Sequence, residues 1–296
     1  MSVKILSDFD GVWTDQVHEA EGVKRFLVAE TARLARASVD ETREHFERFE
    51  ARVKAEPARF GWAPDGRITA YVDEDPFCEA NAIAMYLQQA RDDSTAQRYA
   101  AAILADGFGT LTKFADHCFL TATSTFRAEH PPALVPRARE MYEALVAAGA
   151  EIVVVSNSSA EKIVGWFRQI GLEASDGPSG PLRVRGSAGK FVIGSSDRSI
   201  AVGARRIFVD RPKYLSVIVE EDPDIVIGDV FSLDLALPHV LRSEGDPRAP
   251  DALVLRRHPH TPSWVLDTRA GGAIDHVVEQ IGDLAEIVRR RRAASR

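Results

Sequence analysis

The sequence predicts an α/β protein, a mainly parallel sheet flanked by helices, with a mostly helical segment inserted after the first strand. Three observations carry this prediction. From about residue 131 onward, short β-branched runs alternate with amphipathic stretches, which is the texture of strand–helix units. Residues 16 to about 130 instead read as helices joined by turns. The first strand, residues 3 to 9, has no core of its own nearby, so it should join the later sheet.

The elements follow in order. In "KILSDFDGVW" an apolar strand ends on Asp8 and Asp10, which share one face while Phe9 takes the other. Two like charges there repel unless a cation or proton lies between them, and Gly11 allows a sharp turn. An ordinary Asp/Gly turn and a functional carboxylate pair both fit these ten residues. In the helical segment, Ser38 with Glu41 makes a capping box before Val39, Phe46, Phe49 and Val53 on one stripe. Asp75-Pro76 predicts a helix start, Ser94 with Gln97 a second capping box, and Gly107 a stop. "GWAPDGRITAYVDEDP" between them is turn-rich, with one short strand. Then "PRAREMYEALVAAG" predicts a helix closed by Gly149, and "EIVVV" a strand buried on both faces. "SSAEKIVGWFRQIG" predicts a helix capped by Ser158 and Glu161 and ended by Gly171. "RRIFVD", "DIVIGD" and "DALVLRR" predict three further sheet strands, with helices in "PKYLSVIVEE" and "SLDLALPHVL" and a last helix over Ile274 to Arg291.

Composition narrows the function classes. With 296 residues, 45% hydrophobic and 27% charged, the chain is ordinary for a globular protein with a large core. A net charge of −7 argues against a general nucleic-acid binder, although an anionic substrate remains open if the site brings its own cations. Cys78 and Cys118 are far apart and in no metal-ligand spacing, so a reducing cytoplasm is expected and no disulfide framework. No stretch approaches 18 apolar residues, so no membrane association is expected. Oligomeric state leaves no mark that we can read.

In open α/β sheets, ligands sit at the carboxyl ends of the strands, near a topological switch point. There the sequence delivers Asp8 and Asp10, then Ser156 and Asn157 before a capped helix, Lys213 at a helix start, and Asp229 with Asp234. Carboxylate pairs, a hydroxyl beside a helix N-terminus and a lysine are the groups that hold a divalent cation and a phosphate.

These segments resemble the haloacid dehalogenase-like hydrolase superfamily, in its phosphatase branch. "DFDGVWTD" (Asp8 to Asp15) resembles its first motif, DxDGxxTD, "VVVSNSS" its second and "GDVFSLD" (Gly228 to Asp234) its fourth. The resemblance implies a discontinuous Rossmann-like core, residues 1–15 and 131–296, and a helical cap, residues 16–130. It implies that Asp8 is the nucleophile, forming an aspartyl-phosphate, and that Asp10 is the general acid and base. Mg²⁺ would be held by Asp8, the Asp10 carbonyl and Asp229. Ser156 and Asn157 would bind the phosphoryl group, Lys213 would neutralise it, and Asp234 would orient Lys213 or a metal-bound water. Lys190, in the glycine-rich "GSAGKFVIG", also lies between the second and fourth motifs. Lys213 is preferred because it follows a strand and starts a helix.

The expected activity is Mg²⁺-dependent hydrolysis of a small soluble phosphate ester. A phosphomutase or phosphotransferase on the same core, and a silent binding protein, are the alternatives. A 2-haloacid dehalogenase is disfavoured, because the family's dehalogenases lack the second acid found here as Asp10. Weaker candidates are the HxH pair His258 and His260, Trp13 and His18 near the entrance, and Arg127 and His130 as substrate contacts. The arginines at 289–292 read as dipole partners at a helix end.

Overall fold

The computed structural model describes residues 2–131, 133–180 and 182–294. In chain order the elements begin with strand β1 (Val3–Ser7), helices α1 (Val17–Ala35) and α2 (Val39–Ala55), and short strands β2 (Gly61–Trp62) and β3 (Ala70–Tyr71). Helices α3 (Cys78–Gln89), α4 (Ser94–Ala105), α5 (Leu111–Glu129) and α6 (Ala138–Ala148) follow. Strand β4 (Ala150–Val155), helix α7 (Ala160–Gln169) and strands β5 (Leu182–Arg185), β6 (Ser199–Val202) and β7 (Arg205–Phe208) come next. The chain closes with α8 (Pro212–Glu221), β8 (Ile225–Gly228), a π-helical turn (Phe231–Leu235), α9 (Ala236–Ser243), β9 (Ala252–Arg256), α10 (Ser263–Asp267), β10 (His276–Val278) and α11 (Leu284–Ala294). The chain divides into two compact units, Met1–Asp15 with Pro132–Arg296, and Gln16–Pro131.

The first unit holds a six-stranded sheet among the described residues, ordered β10-β9-β8-β1-β4-β5 and parallel throughout. From β1 the chain adds β4 and β5 on one side, then crosses back to add β8, β9 and β10 on the other. The switch point therefore lies between β1 and β8. β1 lies between two apolar strands, β4 and β8. Ile5 aligns with Ile152 and Ile225, and Leu6 with Val153 and Val226, all fully or almost fully buried. One face of the sheet packs against α6, α7 and α11 through Tyr142, Leu145, Ile163, Phe167, Leu284 and Val288. Alternate residues Leu6, Val153, Val226 and Leu253 are buried as well, so both faces are covered, as parallel sheets require.

The second unit is built on α1 to α5 and the β2–β3 hairpin. Its core joins Val23, Leu27, Phe46, Phe49, Ile83, Tyr99, Ile103 and Phe114. Ser38 caps α2 by accepting from the Glu41 N–H, and the Glu41 carboxylate of the expected capping box pairs with Arg98.

Four local expectations are corrected. "RRIFVD" does not enter the sheet: as β7 it pairs antiparallel with β6 in a separate hairpin. The Gly203 turn, at φ +57°, joins these two adjacent runs, so local pairing outcompetes docking on the sheet. The third strand of that side is instead "LRVR", β5, a run whose charged Arg183 and Arg185 break the apolar pattern of the other strands. Residues 276–278 form strand β10 before α11 begins at Leu284, so the last helix starts later than expected. The caps of α4 and α7 are Asp93 and Ser159, each one residue from the position read off the sequence.

Candidate active site

Asp8, Ser156 and Asp229 directly follow β1, β4 and β8, and Asp10, Lys190 and Asp234 lie in the segments that come after sheet strands. Past β1 the chain turns sharply: Gly11 adopts φ +82°, its N–H donates to Thr14 Oγ1 at 3.1 Å, and Trp13 N donates to Phe9 O at 2.9 Å. Trp13 is fully buried, donates from Nε1 to Ser7 Oγ at 3.0 Å and packs edge-on against Phe167, so it anchors the turn. Asp8 N donates to Ile227 O at 2.8 Å, which ties the end of β1 to β8.

Asp8, Asp229 and Asp234 are buried, and one oxygen from each lies within 4.8 Å of the others. Lys190 Nζ reaches into this cluster, bonding Asp8 Oδ1 and, at 2.6 Å, Asp234 Oδ1. Asp234 Oδ2 also accepts from Val230 N at 3.1 Å, so the π-helical turn folds this carboxylate back towards β8. Burial, and then the neighbouring carboxylates of Asp234, Asp229 and Asp10, push the Asp8 pKa well above its ordinary value, against the pull of Lys190. Burial and Asp234 do the same for Asp229. Burial disfavours the Lys190 ammonium, but Asp234 and Asp8 outweigh it and raise its pKa, so the lysine stays charged.

Lys213 is not at this site. It is exposed, and the position expected of it is filled by Lys190, which is 2% exposed. The inward stripe of α8 is Tyr214, Val217, Ile218 and Glu221, and Lys213 falls off that stripe. The loop carrying Lys190 is held from two directions, and its partner Asp234 from a third side. Asn157 Oδ1 accepts the Lys190 N–H at 2.8 Å, the buried Arg211 guanidinium donates to the Lys190 carbonyl, and Tyr214 OH donates to Asp234 O at 2.9 Å. The Asn157 side-chain oxygen is thus engaged with the loop. The signal for Lys190 was its glycine-rich setting directly after "LRVR", once that run is read as a strand.

Asp10 stands apart from the cluster. Ser156 Oγ donates to Asp10 Oδ2 at 3.1 Å and accepts from Ser158 N at 3.0 Å. Ser158 Oγ lies 3.3 Å from the same Asp10 oxygen, and Lys162 Nζ lies 3.6 Å from Asp10 Oδ1. The sequence marks Ser158 only as a helix cap, and Lys162 carries no signal there.

Of the weaker candidates, His258 lies at the site and His18 is exposed. His258 Nε2 stands 3.2 Å from Asp229 Oδ2, and its ring stacks on His260 at 4.7 Å. Burial, then the Arg256 charge, pushes the His258 pKa down to about 4. Arg127 pairs with Glu19 at 2.8 Å, and His130 stacks on Phe126. Arg289 and Arg290 pair with Glu286, and Arg291 with Asp251, so these arginines serve specific acids more than the helix end.

The donor set fits a hard divalent cation. Asp229 Oδ1 is buried with no hydrogen-bond partner among the described residues, beside a second carboxylate whose pKa is raised. A cation would relieve both. Gly11 leaves room for that carboxylate, since a Cβ there would stand 2.0 Å from Asp229 Oδ2.

No family model matches the chain, and no curated protein does. Among solved structures it is similar to a candidate HAD-hydrolase, YfnB, from Bacillus subtilis, described as bound to magnesium. That likeness has 11% identity, covers 97% of this chain and 98% of that one, and has a TM-score of 0.44. It is also similar to a 2-haloacid dehalogenase from Pseudomonas syringae pv. Tomato, at 16% identity, 98% and 99% coverage and a TM-score of 0.42. A haloacid dehalogenase-like family hydrolase from Xanthomonas campestris is similar at 15% identity, 92% and 93% coverage and a TM-score of 0.36. The resemblance to that superfamily rests on this chain's own features: the strand order and the motif residues gathered at its switch point.

Proposed function

We propose that the chain is a Mg²⁺-dependent phosphomonoester hydrolase of a small soluble phosphate ester, working through an aspartyl-phosphate on Asp8. One observation carries the reading. A buried carboxylate cluster holds Lys190, and an Asp229 oxygen with no hydrogen-bond partner among the described residues remains for a cation. When bound, Mg²⁺ would be held by Asp8, Asp229 and the Asp10 carbonyl, and would neutralise charge on the phosphoryl oxygens.

The chain's own residues do the rest. Asp8 attacks phosphorus, forming the acyl-phosphate bond as the ester P–O bond breaks. Asp10, steadied by Ser156, delivers its proton to the leaving alkoxide. It then takes a proton from the water that attacks phosphorus, which releases orthophosphate and restores Asp8. Lys190 takes the role first expected of Lys213: it keeps one Asp8 oxygen in place and offsets the charge that builds up on the transferring group. Asp234 orients Lys190. In a reducing cytoplasm Cys78 and Cys118 would remain the free, buried thiols they are here.

The test is a panel of phosphate esters with 2-chloropropionate included, assayed in Mg²⁺ and in EDTA. Turnover of esters that needs Mg²⁺, with phosphate trapped on Asp8 in acid-quenched protein, is the expected result. Asp8→Asn should lose at least about 10³ in kcat. Halide release that persists in EDTA would replace this reading with a dehalogenase. Phosphate passed to a sugar acceptor in preference to water would replace it with a phosphotransferase.

A further inference from the structure

The HxH pair raises a question that the proposed reaction leaves open, namely what a histidine does beside the Asp229 carboxylate. β9 is the neighbour of β8, and Gly228 aligns with Leu255, so Arg256 is level with Asp229 and His258 lies two residues beyond. The Arg256 guanidinium bonds His258 Nδ1. A guanidinium only donates, so Nδ1 must accept and carries no proton. The proton of the imidazole is then on Nε2, the nitrogen that stands 3.2 Å from Asp229 Oδ2. An Nε2 that carries a proton has no lone pair for a metal.

Besides Arg256 Nε, two buried atoms here lack an aligned hydrogen bond among the described residues, Asp229 Oδ1 and His258 Nε2. They belong to one pair of side chains, so a single arrangement accounts for both. We propose that His258, with its tautomer fixed by Arg256, is a positioning residue that holds Asp229 Oδ2 by donation from Nε2 and leaves Oδ1 to the cation. The histidine is therefore an outer partner of the metal site and not a ligand. Its ring is steadied by the stack on His260 and by the turn in which His258 N donates to Thr261 Oγ1 at 2.8 Å. The carboxylate has room for this orientation because Gly11 presents no Cβ to Oδ2. Outer partners of metal ligands commonly contribute about 10- to 100-fold in metal affinity.

This inference rests on the cation site proposed above, and the experiment separates the two. Mn²⁺ binding is followed by the EPR signal of the free ion in wild type, Asp229→Ala, His258→Ala, His258→Gln and Arg256→Met, with folding checked by circular dichroism. His258→Ala should bind Mn²⁺ about 10- to 100-fold more weakly. His258→Gln, whose amide can donate from nearly the same point, should recover most of that loss. Arg256→Met, which frees the tautomer, should fall between, and it decides the matter if His258→Ala does not fold. No directly coordinated nitrogen should appear in the electron spin-echo modulation of bound Mn²⁺. A strong nitrogen coupling from His258, or wild-type affinity in both His258→Ala and Arg256→Met, would overturn the inference alone. Wild-type affinity in Asp229→Ala, or no Mn²⁺ binding by wild type, would overturn the cation site and the inference with it.

Discussion

Lys190 is bonded to two buried carboxylates, so deleting its side chain leaves Asp8 and Asp234 facing each other without a fixed cation. Lys190→Ala should therefore lose about 10² or more in kcat/KM. Lys213→Ala, on the exposed side of α8, should change it less than about threefold. Activity measured for both variants on one ester, with circular dichroism as the folding control, checks the ranking. The opposite order would return the role to Lys213. Asp10→Asn should suffer least on p-nitrophenyl phosphate, whose leaving group needs no proton, and most on an alkyl phosphate. An equal loss on both would remove Asp10 as the general acid. Asp8 also carries a stability signature. Its folded pKa lies above the unfolded value of about 3.9, so its stabilising contribution is present at low pH and fades as pH rises. In EDTA at pH 8, Asp8→Asn should melt at the same temperature as wild type or higher, and the difference should shrink towards pH 4. A variant that melts well below wild type at pH 8 would contradict this account.

At the scale of elements, the turn after β1 and the entry to α7 carry separate costs. Gly11 has φ +82° and faces Asp229 Oδ2, so Gly11→Ala combines a strained backbone with a clash against the site. It should cost at least about 2 kcal/mol in urea unfolding. Ser159 caps α7 through the Lys162 N–H, and Ser159→Ala should cost about 1 kcal/mol. A Gly11→Ala protein as stable as wild type would mean that Asp229 does not sit where the turn needs space. Sequence signals at this scale were legible where the signal is local. "EIVVV", "DIVIGD" and "DALVLRR" are near-continuous apolar runs and became sheet strands. "RRIFVD" has the same look, but its partner is the run just before it. "LRVR" was hidden because its arginines reach Glu151, Glu220 and Glu221, partners far away in sequence.

At the scale of the whole molecule, both cysteines lie in the core of the second unit, buried and unpaired. Burial raises the pKa of each thiol. Only thiolate reacts with Ellman's reagent, so at pH 8 the native protein should release almost no thionitrobenzoate. In guanidinium chloride two equivalents should appear, one for each cysteine in the sequence. Rapid labelling of the native protein would mean that the second unit opens readily in solution.

What the sequence determined by itself is where most of the candidate site residues lie along the sheet. Asp8, Asp10, Ser156, Asp229 and Asp234 each end a strand or follow one, and strand ends are written in local apolar runs and turn residues. The α/β class followed from the same runs, because periodicity is a property of neighbouring residues. Tertiary structure decided which lysine meets Asp8. That choice depends on the inward stripe of α8, on a hairpin that removes β7 from the sheet, and on Asn157 and Arg211 holding a glycine-rich loop. It also decided that His258 meets Asp229, because only the pairing of β9 with β8 brings those strand ends together. Residues 29 or more positions apart become neighbours only when the sheet forms, and no local pattern encodes that register.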